Sequence, residues 1–264
     1  MNLTLRIFSI FMFFISFSVV QAQDATPASM YNDGVAALKA KDYDKALDLL
    51  TSALEAADPE EDKQIVSLAK KNSAVAAYYA GNAARKAKDY DSALEKYETG
   101  ISVSPSFYAN YIGKALSLNS KGDVMGALQA YIVGSGEAEK VGKADKAEEM
   151  MDKATIFVSK AYTAKKWDET LELGKTYLES TPSADVHFYM ARAYKEKGNL
   201  KEALANANKA IELGEGGKDG RNYFAQAEVY EGLGDTSAAL EAYKKVPSGT
   251  YGEMAKYKVD NLGK

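Results

Sequence analysis

Apolar residues along this chain gather into short helical stretches, and polar turns cut those stretches in pairs. The turns that divide the pairs are Lys41-Asp42, Lys88-Asp89-Tyr90-Asp91, Lys121-Gly122-Asp123, Lys165-Lys166-Trp167-Asp168, Lys197-Gly198-Asn199 and Gly234-Asp235. Behind each turn an Ala-Leu or near-Ala-Leu step opens a helix: Ala46-Leu47, Ala93-Leu94, Ala127-Leu128, Thr170-Leu171, Ala203-Leu204 and Ala239-Leu240. Successive steps are 47, 34, 43, 33 and 36 residues apart. A unit of about 34 residues is the period of a helix-turn-helix solenoid, in which no unit buries its apolar face alone. The pattern therefore predicts an all-α stack of about six helix pairs over residues 29–247.

Two intervals run long. Asp58 stands as an N-cap, Pro59 fits a first helical position, and Glu60, Glu61 and Asp62 suit the positive end of a helix dipole. We expect one long helix from there to about Ala87, which absorbs the first excess. The second falls in Lys140 to Met150, where alternating charges suggest an exposed helical extension. Gly214-Glu215-Gly216-Gly217 reads as a longer inter-repeat loop. Over residues 248–264, Tyr251, Ala255, Val259 and Leu262 share one helical face, as a terminal capping helix requires.

The first residues change the expected location. Arg6 precedes an apolar run from Ile7 to Val20, and Val20-Gln21-Ala22 suits cleavage after Ala22, so residues 1–22 read as a signal peptide. The run is shorter than the roughly 20 apolar residues that span a bilayer. Residues 23–28 form a polar, disordered leader. The expected location is periplasmic or secreted, with no integral membrane segment in the mature chain. The sequence has no cysteine, which excludes disulfides, thiolate metal sites, a cysteine nucleophile and a lipidated cysteine. Loss of Arg6 takes the formal charge from −4 to −5, and with both signs interspersed no basic face suggests nucleic acid.

The units resemble tetratricopeptide repeats across almost the whole mature chain. Small residues recur where the two helices of such a repeat cross: Gly34, Gly81, Ala115, Val158, Ala191 and Ala227 in the first helices, and Ala46, Ala93, Ala127, Thr170, Ala203 and Ala239 in the second. Ala53, Gly100, Gly134 and Ala210 repeat the pattern, with Leu50, Tyr97, Tyr131 and Tyr243 filling the gaps. The fifth unit, with Gly198 to Leu204 and Ala210-Ile211, matches best. The fourth departs most, through Thr170, Gly174 and Tyr177. The resemblance implies a right-handed superhelical solenoid whose first helices line a concave wall. Some members hold the acidic tail of a chaperone through Lys, Asn and Arg on those helices. The corresponding sites here carry Tyr31, Val35, Tyr79, Ala109 and Gly113, and only Asn82 matches, so that activity is not implied.

Catalytic chemistry finds little support. His187 is the sole histidine and falls on a packing site, while a base or a metal would need partners beside it. Asp42, Asp89, Asp123 and Asp235 recur at one turn position, which marks them as structural. Trp167 takes the turn site of Tyr43 and Tyr90 as an aromatic plug. No cofactor is implied. What remains is a stripe on the first helices: Tyr31, Tyr78, Ile112, Phe188 and Phe224, and one turn on Val35, Asn82, Leu116, Arg192 and Glu228. Aromatic contact area beside varied polar groups suits a peptide groove. The expected role is a non-enzymatic scaffold in the cell envelope that binds a peptide or protein partner. The alternative is a carrier of a small molecule or glycan near Trp167, Tyr162 and Arg192.

Overall fold

The computed structural model describes residues 26–262, and within them the chain is a series of thirteen α-helices without a strand. Six consecutive couples are α1 (Pro27–Lys39) with α2 (Tyr43–Ala56), α3 (Lys63–Lys86) with α4 (Tyr90–Val103), α5 (Ala109–Lys121) with α6 (Val124–Lys140), α7 (Ala144–Thr163) with α8 (Trp167–Leu178), α9 (Ala184–Glu196) with α10 (Leu200–Gly214), and α11 (Arg221–Leu233) with α12 (Thr236–Lys244). α13 (Thr250–Asn261) follows the last couple. Each helix packs chiefly on its neighbours in sequence, the contact pattern of a solenoid. The expected signal segment lies outside the described residues.

Glycine and alanine set the spacing of the couples. A Cβ on Gly34 would stand 2.7 Å from Leu50 Cγ, and one on Gly81 would stand 2.6 Å from Tyr97 Cε1. At Gly134 it would meet Met150 Cε at 2.2 Å. A larger residue at these crossings would part the backbones and open voids in a close-packed interior. The fourth unit is built the other way round. Gly174 leaves a space that Met190 of α9 enters, while Tyr177 is buried and the Thr170 hydroxyl donates to the Lys166 carbonyl at 2.9 Å. The departures from the repeat pattern there compensate one another.

The turns use two devices. Asp89, Asp123 and Asp235 accept from the backbone N–H of Ser92, Gly126 and Ala238, capping α4, α6 and α12. Asp42 makes no such bond. The preceding helix ends in a left-handed residue, Gly122, Gly198 or Gly234 in three couples and Lys41, Lys88 or Lys165 in the others.

Three expectations change. The Asp58 carboxylate accepts from the N–H groups of Glu60 and Glu61 and closes a local turn, so α3 begins only at Lys63. Residues 140–150 are largely helical and mostly exposed, but as lengthened ends of α6 and α7 on either side of a turn at Val141 to Lys143 rather than as one piece. Ala147 and Met150 are buried there, and the Ser135 hydroxyl donates to the Ala147 carbonyl at 3.1 Å. At the start, Thr26 accepts from Ser29 N–H and α1 begins at Pro27, within the expected leader.

First helices of successive couples touch, as α1–α3, α3–α5, α7–α9 and α9–α11, whereas second helices stand apart except α6 and α8. The first-helix side is therefore the inner side of the curve. At the third junction this reverses: α5 and α7 part on the inner side while α6 meets α8 behind them.

Candidate functional site

Three rows of side chains, one turn apart, make up the first-helix wall. The first row is Tyr31, Tyr78, Ile112, Thr155, Phe188 and Phe224. The second is Val35, Asn82, Leu116, Ser159, Arg192 and Glu228, and the third is Leu38, Arg85, Asn119, Tyr162, Lys195 and Glu231. From α1 to α5 the wall stays open. Tyr31, Val35, Tyr78, Asn82 and Ile112 are half-buried, and Leu116 is 36 % exposed beside the parting of α5 and α7. Tyr31 is held by Asn72, whose Nδ2 donates to its hydroxyl at 3.1 Å. Tyr78 meets Phe107 edge-on at 6.1 Å.

From α9 onward the wall is closed by its own contacts. Phe188 and Phe224 are 3 % and 2 % exposed, so neither presents the ring surface expected of a groove. The reason lies behind them. The Phe188 ring drops into space left by Ala210 and Ala225, under the guanidiniums of Arg221 at 4.7 Å and Arg192 at 5.9 Å. Phe224 packs between Tyr243 and Tyr251 of the capping region. Charges of the second and third rows meet each other: Glu228 takes Arg192 at 3.2 Å and Lys195 at 3.1 Å. Glu231 accepts from the Tyr243 hydroxyl at 2.6 Å and pairs with Lys258 at 2.8 Å.

Sequence reading missed one class of wall group. Buried tyrosines of the second helices pass between first helices and bring their hydroxyls to the second and third rows. The Tyr97 hydroxyl donates to Asn82 Oδ1 at 2.8 Å, with the Arg85 guanidinium beside it. Burial pushes the Tyr97 phenol up and Arg85 draws it partly back. Burial raises the Tyr243 phenol further, and its bond to the Glu231 carboxylate adds to the shift. A periodic spacing of large residues carries no sign of which rings reach through. Two exposed residues, Tyr79 at 45 % and Ile156 at 46 %, flank the rows, and Tyr79 stacks on Tyr43 at 5.0 Å.

Other candidates for chemistry are occupied. His187 Nδ1 lies 2.8 Å from Asn206 Oδ1, an amide rather than a carboxylate. Trp167 and Tyr189 lean on Tyr162 at 5.7 and 5.4 Å, and Arg192 lies over the Tyr162 ring at 5.9 Å. These groups pack on one another at ring-contact distances. Clefts occur elsewhere, as between α4 and α6 on the second-helix side, where Ile101, Tyr111, Leu118 and Val133 line about 560 Å³. Among the described residues no helix is long and apolar enough to cross a membrane.

Residues 184–213 and 220–246, the α9–α10 and α11–α12 couples, match the family model of the tetratricopeptide repeat. No curated protein matches the chain. Similar solved structures include YrrB, described as a TPR protein with an unusual peptide-binding site, at 17 % identity and TM-score 0.42 over 79 % of this chain and 97 % of that one. Another is TTC0263, a thermophilic TPR protein of Thermus thermophilus, at 18 % identity and TM-score 0.33 over 90 % of this chain and 98 % of that one. A third is the yeast Sti1 TPR2AB domain in complex with pHSP90, at 17 % identity and TM-score 0.33 over 90 % of this chain and 93 % of that one.

Proposed function

We propose that the chain, whose α9–α10 and α11–α12 couples match the tetratricopeptide-repeat model, is a non-enzymatic scaffold binding a peptide or protein segment along its first-helix wall from α1 to α7. One observation carries this reading: apolar and amide side chains stay accessible over α1–α5, ending in Leu116 where α5 and α7 part, while the wall beyond is sealed by internal ion pairs. An extended segment laid there would cover Tyr31, Val35, Tyr78, Ile112 and Leu116, and Asn82 would fix its register. Rings and branched side chains give contact area at small entropic cost, and a few polar groups set alignment. The signal-like residues 1–22 extend the reading to the cell envelope.

The test is a photo-crosslinking residue placed at Leu116, with a second at Val133 on the opposite side, in cells that export the protein. Crosslinked protein from position 116 and none from 133 is the expected result. Crosslinks from 133 alone would overturn the first-helix wall. The mass of the crosslinked chain reports removal of 22 residues, and an intact N-terminus would overturn the assigned cleavage.

A further inference from the structure

Five charged side chains stand in the second and third rows of the wall. Four are ion-paired within the chain: Arg192 and Lys195 with Glu228, and Glu231 with Lys258 of α13. The fifth is Arg85. Among the described residues no carboxylate lies within ion-pair distance of it. It is half-buried, and its Nε is shielded from solvent without a hydrogen-bond acceptor. The Tyr97 phenol lies beside it, with Asn82 one turn back, and the Tyr131 phenol is near enough to sense its charge.

A guanidinium keeps its charge in any protein environment, so partial burial without a counter-ion carries a standing cost. The cost is relieved by a carboxylate, which accepts from two guanidinium N–H groups at once. The neighbouring amide suits the same guest. Asn82 Oδ1 is engaged by Tyr97, which leaves the Asn82 NH2 turned to donate. The sixth unit shows the complete arrangement with chain-borne parts: the equivalent tyrosine, Tyr243, bonds the third-row Glu231, and Lys258 supplies the opposite charge. In the second unit the cation is present and the anion is missing.

We infer that Arg85 and Asn82 form a carboxylate subsite in the wall, and that the bound segment presents a carboxylate to it. This rests on the first-helix wall being the binding surface. Asn82 is the single match to the chaperone-tail residues, whereas Arg85 lies off that set, whose other positions carry Tyr31, Val35, Tyr79, Ala109 and Gly113. The carboxylate comes from an acidic side chain or from a free chain terminus.

The experiment titrates the isotopically labelled full chain with three peptides and follows the Arg85 Nε–H and Asn82 side-chain amide signals by NMR. The probes are acetyl-Ala-Ala-Ala-Leu with a free carboxylate, the same peptide as its amide, and acetyl-Ala-Glu-Ala-Leu amide. Arg85→Lys assigns the Nε–H signal by removing it. A saturable shift of both signals with at least one carboxylate peptide, and none with the uncharged amide, is expected; which peptide acts identifies the source. Arg85→Gln should weaken that binding about tenfold or more at unchanged helicity, and Arg85→Lys by less. Equal response to the uncharged amide, no response of the Arg85 signal to either carboxylate, or full binding by Arg85→Gln would each overturn the subsite. Movement of Leu116 and Ile112 methyls with Arg85 unmoved would overturn the subsite and leave the wall standing.

Discussion

Lys41, Lys88 and Lys165 hold φ near +60° (63°, 63° and 57°) at the ends of α1, α3 and α7, where Gly122, Gly198 and Gly234 serve in the other couples. A left-handed conformation crowds Cβ against the following carbonyl and costs an L-residue about 1 kcal/mol, which glycine avoids. Replacing each lysine with glycine should therefore stabilise the chain by about 0.5–1 kcal/mol, read as a rise in the urea midpoint. Unchanged or lower midpoints would show that the turns are not strained. The opposite case is Gly113, whose Cβ would stand 2.3 Å from the Tyr97 ring. Tyr97 cannot swing away without losing its bond to Asn82, so Gly113→Ala should cost about 1–3 kcal/mol. The glycine and alanine positions were legible in the sequence because each unit repeats them. The Tyr97–Asn82–Arg85 cluster was not, since it depends on how far one ring passes between α3 and α5.

At the level of the helix, pairing and order followed from the turn residues, while helix ends and side-chain exposure did not. Asp58 looks like a cap in sequence, but a carboxylate able to reach two nearby N–H groups closes a turn as readily as it starts a helix. Phe188 and Phe224 occupy the wall row by register, yet the alanines behind Phe188 and the cap beside Phe224 draw both rings inward. The dependence on α13 is direct: Tyr251, Val259 and Leu262 cover Phe224, Ala239 and Tyr243. Truncation before residue 248 should expose that cluster and break the Lys258–Glu231 pair. Hydrogen exchange should then accelerate in α11 and α12 and leave α1–α4 at their original rates, because contacts pass only between neighbouring couples. Uniform acceleration along the whole chain would instead indicate one cooperative unit.

Across the molecule, stability comes from stacked helices alone, with no cysteine to cross-link them and buried tyrosines as much of the filling. Desolvation raises the phenol pKa of Tyr97, Tyr111, Tyr131, Tyr162 and Tyr243, the last also through Glu231. In the unfolded chain these phenols ionise near pH 10, about the value for an exposed tyrosine. A folded-state pKa above the unfolded one gives a contribution that is complete below about pH 10 and disappears as pH climbs through the folded value. Stability should hold level through the neutral range on this account and fall steeply in alkali. Circular dichroism and tyrosinate absorbance followed together in a pH ramp provide the check. Of the 18 tyrosines the exposed ones should ionise first, and the buried set only as helicity is lost. Tyr243→Phe removes the phenol with the largest shift, so the alkaline fall should become shallower even though Glu231 loses a donor. Full tyrosinate absorbance reached before any loss of helix would mean that these rings are wetted in the folded chain. The close crossings at Gly81, Gly113 and Gly134 could not then seal the interior as described.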